Sequence, residues 1–311
     1  MKNSAKLTQV ACSTFAAALI LASSGVRGQN LLASSGHNIL GFASGGTQST
    51  FASGFNAVGG VAFDRAGDLF ATEWLSSDNS LIIKIAPDGV QSTFASGLSG
   101  AATLAFDNTG NLFVGCTVSS SIIEITPGGV QSVFTSKNQT AIDNPVSIAF
   151  GRAGNLFVAD GGSGKVLSYT PGGVESFFAS GLGASAPAAV ACDKAGNVYV
   201  TGNILNDPNS RGLIYKFTPS GVQSTFASGL YNPGALTVDD AGNVFVIAYA
   251  GQGGLGGRNT IYEFNPSGAR TTFATANSIL TSLVVQVPEP SGLALLAVGL
   301  FGIGLLHRRR P

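Results

Sequence analysis

The sequence predicts an all-β protein, a six-bladed β-propeller of four-stranded antiparallel blades, because two phrases repeat through most of its 311 residues. One phrase, of the type Ala-Phe-Asp-x-x-Gly-Asn-Leu-Phe, occurs five times at spacings of 42 to 46 residues, with central glycines Gly67, Gly110, Gly154, Gly196 and Gly242. A second phrase, of the type Pro-x-Gly-Val-Gln-Ser-x-Phe, occurs six times, with glycines Gly46, Gly89, Gly129, Gly173, Gly221 and Gly268. Short runs of Val, Ile, Thr and Phe between Gly, Asn, Asp and Pro are typical of strands joined by tight turns.

Each repeat unit divides into four strands, a to d in chain order. In the third full copy we expect them at residues 146–150, 156–159, 166–169 and 174–179. The a–b link contains Gly154, where a short hairpin turn needs a positive φ. The c–d link is Pro171-Gly172-Gly173, which is typical turn chemistry. Four strands in about 43 residues is the size of one propeller blade.

The two ends of the repeat region supply the sixth blade. Residues 30–33, 39–42 and 47–52 resemble strands b, c and d, and residues 280–286 resemble strand a. Pairing these ends would close the ring and cover both free strand edges. The predicted propeller domain is therefore 29–287. Five full copies could instead form an open solenoid, which the matching partial blades at the ends disfavour.

The first 28 residues have the pattern of a secretory signal peptide. Lys2 and Lys6 precede an apolar stretch that ends near Ala22, and small residues follow up to Gly28. The apolar stretch is too short for a membrane-spanning helix. The alternative is a buried N-terminal helix. We expect export by the secretion machinery and cleavage by signal peptidase.

The C-terminal segment 288–311 combines a proline break, an apolar run and a basic cluster. The apolar run is 293–306, and the flanking residues are Pro288, Glu289, Pro290, Arg308, Arg309 and Arg310. Arginines after an apolar segment stay on the cytoplasmic side, so the propeller would lie outside the cell. Both end segments are predicted to be short hydrophobic helices that flank the propeller.

This order of features resembles the PEP-CTERM sorting signal. The resemblance implies a Gram-negative-type cell, recognition by an exosortase membrane protease and removal of the tail. It also implies an association with extracellular polysaccharide or biofilm. We therefore expect a protein of the cell envelope, surface or extracellular space that is anchored by its C-terminus at least transiently. An ordinary C-terminal membrane anchor would change the processing but not the location.

The phrase at 146–160 resembles an NHL repeat and the strand pairs of the regucalcin and gluconolactonase group. That resemblance covers nearly the whole mature chain, and it implies the propeller fold more strongly than a function.

The charge distribution argues against nucleic acid as a partner. Charged residues are 10% of the chain, with 16 Lys and Arg against 16 Asp and Glu. Because six of the basic residues lie in the end segments, the body is mildly acidic and has no basic cluster. Such a surface attracts phosphate backbones poorly.

Strand polarity predicts where a binding site would lie. The a–b turns fall on one face of a propeller, and the b–c and d–a connections share the other. The second set varies in length and carries most of the unusual polar residues, so binding is expected there. The predicted binding residues are Glu73, Trp74, Asp143, Asp160, Asn203, Asp207, Tyr231, Asn232, Tyr249 and Arg258. Solvated loops and Asx turns are the alternative interpretation.

Three of these residues are candidate metal ligands: Glu73, Asp160 and Asn203. Glu73 and Asp160 occupy equivalent positions at the end of strand b, two blades apart, and both could point toward the central channel. Oxygen ligands of this kind suit Ca²⁺ or another hard divalent cation. No other cofactor is predicted.

Other catalytic chemistry is disfavoured. The body contains one histidine, His37, in an expected b–c loop, and no nucleophile motif accompanies it. Zinc lyases built on propellers use several histidines, which counts against the streptogramin-lyase relatives. Cys116 and Cys192 lie two blades apart and are interpreted as buried apolar fillers rather than a disulfide.

The sequence therefore favours an exported, non-catalytic binding or scaffold module that engages an extracellular glycan or protein. The alternative is a divalent-metal-dependent lactonase-like hydrolase of the gluconolactonase type.

Overall fold

The structure, a computed structural model, describes residues 30–180, 182, 186–203, 211–249 and 259–286. Within these ranges the chain forms 24 strands. They contain no helix, and hence none that could cross a membrane. The two predicted hydrophobic end segments lie outside the described residues.

The strands form six blades, and the predicted fold class is confirmed. Blade 1 combines the last strand of the sequence with the first three. Its strands a to d are β24 (Ser282–Gln286), β1 (Asn30–Ser35), β2 (Asn38–Phe42) and β3 (Gln48–Ser53). Blade 2 contains β4 (Val58–Phe63), β5 (Leu69–Ser76), β6 (Asn79–Ile85) and β7 (Gln91–Leu98). Blade 3 contains β8 (Ala101–Phe106), β9 (Leu112–Cys116), β10 (Ser121–Ile125) and β11 (Gln131–Ser136).

The remaining blades follow the same order. Blade 4 contains β12 (Pro145–Phe150), β13 (Leu156–Asp160), β14 (Lys165–Tyr169) and β15 (Glu175–Ala179). Blade 5 contains β16 (Pro187–Cys192), β17 (Val198–Asn203), β18 (Arg211–Phe217) and β19 (Gln223–Tyr231). Blade 6 contains β20 (Leu236–Val238), β21 (Val244–Tyr249), β22 (Asn259–Phe264) and β23 (Arg270–Ala276). One backbone pair, Tyr231 with Tyr249, joins the sheets of blades 5 and 6.

The predicted ring closure is confirmed by the pairing of β1 with β24. The two strands are antiparallel, and Leu31 pairs with Val285 and Ala33 with Leu283. Strand bounds differ from the predicted ones by one or two residues. For example, β15 begins at Glu175 rather than Val174, because the Val174 amide donates to the Thr170 hydroxyl inside the c–d turn (3.1 Å).

The blades pack against one another through a repeated aromatic contact. In blades 2 to 6 the phenylalanine of strand d meets an aromatic residue of its own strand b, as Phe134 meets Phe113 with ring centroids 5.1 Å apart. Phe134 also meets Tyr169 of the next blade at 6.0 Å. Edge-to-face pairs of this kind add to the burial of apolar surface between sheets. In blades 3 to 5 the repeated Phe of the second sequence phrase therefore joins its own blade to the next one.

The inner strands are joined by hydroxyl groups at one repeat position. Ser282 accepts from the Val61 amide at 3.3 Å, Thr103 from the Ile148 amide at 3.2 Å, and Ser147 from the Val190 amide at 3.1 Å. These bonds cross from one blade to the next around the central channel. They satisfy inner-strand amides that have no partner within their own blade.

Candidate functional site

The structure separates two faces of the ring. The a–b and c–d turns lie together, since Pro171 in a c–d turn is 3.4 Å from the position that a Cβ on Gly154 in the a–b turn would occupy. Gly154 has φ 83°, as its turn requires. We call this the turn face. The b–c and d–a connections form the opposite face, here called the loop face, which carries the predicted site residues.

Asp160 ends β13 and is fully buried under the loop face. Its Oδ2 accepts from the Asp143 amide at 3.0 Å and from the Ser163 hydroxyl at 2.7 Å. Its Oδ1 accepts from the Asn144 amide at 2.6 Å and from the Gly162 amide at 3.3 Å. Both carboxylate oxygens are therefore used to fasten the d–a loop and the b–c loop to the end of β13.

Glu73 occupies the equivalent position in blade 2 and makes an equivalent contact. Its side chain is buried, and Oε1 accepts from the backbone amide of Asn56 at 2.8 Å and from its side-chain amide at 3.1 Å. Asn56 lies in the d–a connection before β4, as Asp143 lies before β12. The repeat position predicted for metal binding thus holds each carboxylate against its own d–a loop.

No cluster of three or more His, Cys, Asp or Glu side chains that could hold a metal ion occurs among the described residues. The third candidate ligand, Asn203, ends β17, and its backbone pairs with Gly212. Asp207 and Arg258 lie outside the described residues.

Asp143 and the tyrosine pair complete the predicted set. Asp143 is partly exposed, forms an ion pair with Lys137, and accepts at its backbone oxygen from the Ser120 hydroxyl. Backbone pairing brings Tyr231 and Tyr249 together at the junction of blades 5 and 6. Asn232 follows with φ 41°, a left-handed conformation that asparagine tolerates better than most residues.

Trp74 is the one large apolar side chain that is exposed among the predicted site residues whose side chains the structure describes. Trp74 follows Glu73 at the end of strand b, and the residue is 43% exposed. The indole Nε1 donates to the backbone oxygen of Ala101 in blade 3, which fixes the ring across the boundary between two blades. Because the only polar atom of the ring is already bonded, an exposed apolar surface remains for a ligand.

Sequence reasoning missed the residues around Trp74. Leu75 is 45% exposed, and Val118 in the b–c loop of blade 3 is 52% exposed. Trp74 and Val118 both adjoin the start of β8, since Trp74 bonds to the Ala101 oxygen and the Val118 backbone nitrogen is 2.7 Å from the position of a Cβ on Gly100. We call Trp74, Leu75 and Val118 the Trp74 surface. Exposed polar residues follow these three in the same two b–c loops, namely Ser76, Ser77, Asp78, Asn79 and Ser119. The sequence signal for this group was weak, because Trp74 and Val118 belong to different blades.

The central channel offers a cavity of about 430 Å³. Inner strands of all six blades line it, mainly with aliphatic and small side chains and with the hydroxyls of Thr103, Ser147 and Ser282. Cys192 also lines it, and burial raises the pKa of its thiol to about 12. Cys116 is fully buried in blade 3, and burial raises its pKa to about 11. Both thiols are free and so form no disulfide, and their raised pKa values favour the protonated, unreactive thiol at neutral pH.

His37 lies in the b–c turn between β1 and β2, as predicted. Its Nδ1 is 3.0 Å from the backbone oxygen of Phe55, so the ring contacts the d–a connection that follows β3. Among the described residues it belongs to no cluster of three or more His, Cys, Asp or Glu side chains that could hold a metal ion.

Comparison with known proteins gives one sequence match and a group of structural matches. The PEP-CTERM protein-sorting motif matches residues 286–310. No curated protein sequence matches the chain.

The solved structures that resemble the chain include a virginiamycin B lyase from Staphylococcus aureus, with a TM-score of 0.54, 17% identity, and coverage of 70% of this chain and 69% of the lyase. A gluconolactonase from Xanthomonas campestris has a TM-score of 0.56 and 16% identity, over 68% of this chain and 76% of the enzyme. A calcium-binding regucalcin from Agrobacterium tumefaciens has a TM-score of 0.52 and 14% identity, over 69% of this chain and 76% of that protein. At these identities the likeness shows a shared propeller fold. The chain is thus a six-bladed propeller whose PEP-CTERM motif implies export, membrane-anchored transit and recognition by an exosortase.

Proposed function

We propose that this protein is a non-catalytic binding module, displayed outside the cell, which engages an extracellular glycan through the Trp74 surface. The observation that carries the proposal is the contrast between Trp74 and the nearby acids. The indole is held in place by Ala101 and remains exposed, whereas Glu73 and Asp160 are buried and bonded to backbone amides.

The chemistry of the Trp74 surface suits a carbohydrate. A fixed indole ring provides a flat apolar platform at little entropic cost, and exposed aromatic groups are enriched where proteins bind partners. The hydroxyl and carboxylate groups of Ser77, Asp78 and Ser119 around it can exchange hydrogen bonds with sugar hydroxyls. An exposed apolar group with a polar rim is typical of a recognition site rather than of a solvated loop.

The burial of the two acids supports a binding role over a hydrolytic one. A metal-dependent lactonase would need carboxylate oxygens free to coordinate a cation. Asp160 gives both oxygens to four protein donors, and Glu73 gives Oε1 to Asn56. Coordination of a cation by Asp160 would therefore compete with the bonds that hold the loop face of blade 4.

Calorimetric titration of the propeller, residues 29–287, tests the proposal. The ligands are soluble neutral and acidic polysaccharides in one series, and Ca²⁺, Mg²⁺, Mn²⁺ and Zn²⁺ in another. We expect polysaccharide binding that Trp74→Ala weakens about tenfold or more, since truncating an aromatic anchor costs about 1.4 kcal/mol or more. The matched control is Leu213→Met, which changes an apolar residue packed in the core between blades 4 and 5, far in sequence from the loops around Trp74.

Two outcomes would contradict the proposal. One is glycan binding that is unchanged in Trp74→Ala, which would move the site elsewhere on the molecule. The other is a single divalent-cation site that Glu73→Gln and Asp160→Asn abolish together with lactone hydrolysis. That result would replace the binding module with the hydrolase.

A further inference from the structure

The structure shows on which face the C-terminal segment leaves the propeller. β24 is the innermost strand of blade 1 and runs, like every strand a, from the loop face to the turn face. Its last residue, Gln286, pairs with Asn30 at the start of β1. The PEP-CTERM match begins at this same residue. The chain therefore enters the sorting segment at the turn face, beside the central channel.

The link between the propeller and the apolar segment is short. Six residues, 287–292, separate Gln286 from Leu293, and two of them are prolines. Fully extended, six residues span about 20 Å. To reach the loop face from the outside, the link would have to cross three strand spacings, about 14 Å, and then the length of a strand, about 17–20 Å. The link is too short for that path.

The turn face carries repeated exposed valines. Val90, Val130, Val174 and Val222 occupy the same c–d turn position in blades 2 to 5 and are 61–66% exposed. The Val130 amide donates to the Thr126 hydroxyl at 3.2 Å, and equivalent bonds form in blades 4 and 5. These bonds fix the tip of each turn. Within the residues that the structure describes, all four side chains remain largely open to solvent.

We propose that the turn face rests on the bilayer while the C-terminal segment is inserted, with the four valines as its lipid contact. The occupant of this apolar surface is a membrane, because the six-residue link after Gln286 is too short to carry the apolar segment 293–306 round to the loop face. The loop face and its Trp74 surface then point away from the cell. This orientation presents the proposed binding site to extracellular ligands before the sorting segment is removed.

Tryptophan fluorescence tests the orientation, because Trp74 is the single tryptophan of the chain and lies on the loop face. The chain from 29 to 311 is reconstituted in phosphatidylcholine vesicles that contain headgroup nitroxide lipid. Three proteins are compared: the native sequence, Trp74→Phe with Val130→Trp, and Trp74→Phe with Val118→Trp. The last is the matched control, since Val118 is a similarly exposed valine on the opposite face.

We expect quenching of the tryptophan at position 130 to be several-fold greater than quenching at positions 74 and 118. Emission at 130 should also shift to shorter wavelength in vesicles, because the contact is apolar. Val222→Trp in the Trp74→Phe background should behave in the same way and guards against a local folding defect at position 130. Equal quenching on the two faces, or stronger quenching at 74 or 118, would overturn the proposal. Quenching at 130 without the wavelength shift would overturn the valine contact.

This inference rests on the membrane-anchored transit and not on the identity of the ligand. Loss of glycan binding in Trp74→Ala would not change the quenching expected at positions 118 and 130, which is measured in the Trp74→Phe background. Failure of the quenching pattern would leave glycan binding by residues 29–287 intact. The two proposals therefore fail independently.

Discussion

The backbone amide of Asn144 donates a 2.6 Å hydrogen bond to Oδ1 of Asp160. The bond ties the connection that enters blade 4 to the end of the second strand of that blade. Glu73 and Asn56 repeat the arrangement in blade 2. An acid at this repeat position therefore stabilises the loop face. Its removal should lower the free energy of unfolding, whether or not the acid also has a chemical role.

Asp160→Ala should lower the free energy of unfolding by about 3 kcal/mol or more, because it leaves buried backbone donors without an acceptor. Asp160→Asn should cost about 2 kcal/mol, since its amide keeps one acceptor oxygen but turns a donor toward other donors. Urea unfolding of the propeller at pH 7 measures both. The control is Asp240→Asn, whose exposed ion pair with Lys194 should contribute less than about 1 kcal/mol. Unchanged stability in Asp160→Asn would mean that the Asp160 carboxylate does not stabilise the loop face.

The repeat spacing was sufficient to predict the fold, because each blade is a local unit whose turns are fixed by its own residues. Gly154 and Pro171 signal turns on their own, and the strands between them need only the alternation of apolar residues. Ring closure was predictable for the same reason, since residues 30–33 and 280–286 match parts of a blade that no neighbouring sequence completes.

The site was predictable only to the level of the face. The sequence placed Glu73, Trp74 and Asp160 on one face, but their roles depend on contacts between different loops. Trp74 bonds to a residue 27 positions later in another blade, and Asp160 to residues 16 and 17 positions earlier. The conformation of the intervening connections decides which side chain is buried and which is exposed. No short-range sequence pattern predicts which of these side chains is buried.

The free thiols should make the stability of the propeller depend on pH in the alkaline range. In the unfolded chain a cysteine has a pKa near 9, whereas burial raises the pKa of Cys192 to about 12. Below pH 9 both states hold the proton and the thiol does not affect the balance. As the pH rises from 9 toward 12, only the unfolded state loses the proton, so folding stability falls by up to about 1.4 kcal/mol per pH unit for this group.

Comparing urea unfolding of the native propeller and Cys192→Ala between pH 8 and 11 isolates this contribution. The variant should show a shallower loss of stability above pH 9, while Cys116 and the tyrosines affect both proteins alike. At pH 8, thiol reagents should label Cys116 and Cys192 of the folded protein much more slowly than those of the urea-unfolded protein. Identical pH profiles for the two proteins would show that the Cys192 thiol is not protected in the folded state.

Gly60 should be intolerant of a side chain, because the inner strands of blades 2 and 3 approach closely there. A Cβ at this position would lie 2.7 Å from the Ala102 backbone oxygen and 2.8 Å from the Thr103 Cα. These are backbone atoms, so the two strands would have to separate. Gly60→Ala should therefore cost about 1–3 kcal/mol in thermal or urea unfolding, the range for overpacking.

Gly128→Ala is the matched control for Gly60→Ala. Its Cβ would have Thr126 Oγ1 as the nearest atom, at 3.9 Å, and its φ is not positive. That substitution should be neutral or slightly stabilising, since alanine restricts the unfolded chain. If Gly60→Ala were as stable as Gly128→Ala, β4 and β8 would not approach each other closely enough to exclude a side chain at position 60.

Removal of β24 should open the ring. A chain that ends after Thr281 loses the partner of β1, so the backbone groups of Leu31 to Ala33 on that edge become unpaired. It also loses Leu283, a buried residue of the core between blades 1 and 6. Exposed strand edges of this kind pair with other chains. We therefore expect a lower melting temperature and aggregated species on size-exclusion chromatography. A chain that ends after Val287 is the control, since it keeps all of β24 and should melt like the chain that ends at Pro311.

Leu283→Asp in that control background tests the same closure without removing β24. Burying an unpaired carboxylate between blades should cost several kcal/mol or unfold the ring. Equal melting of the two truncated chains would mean that blade 1 is complete without its C-terminal strand.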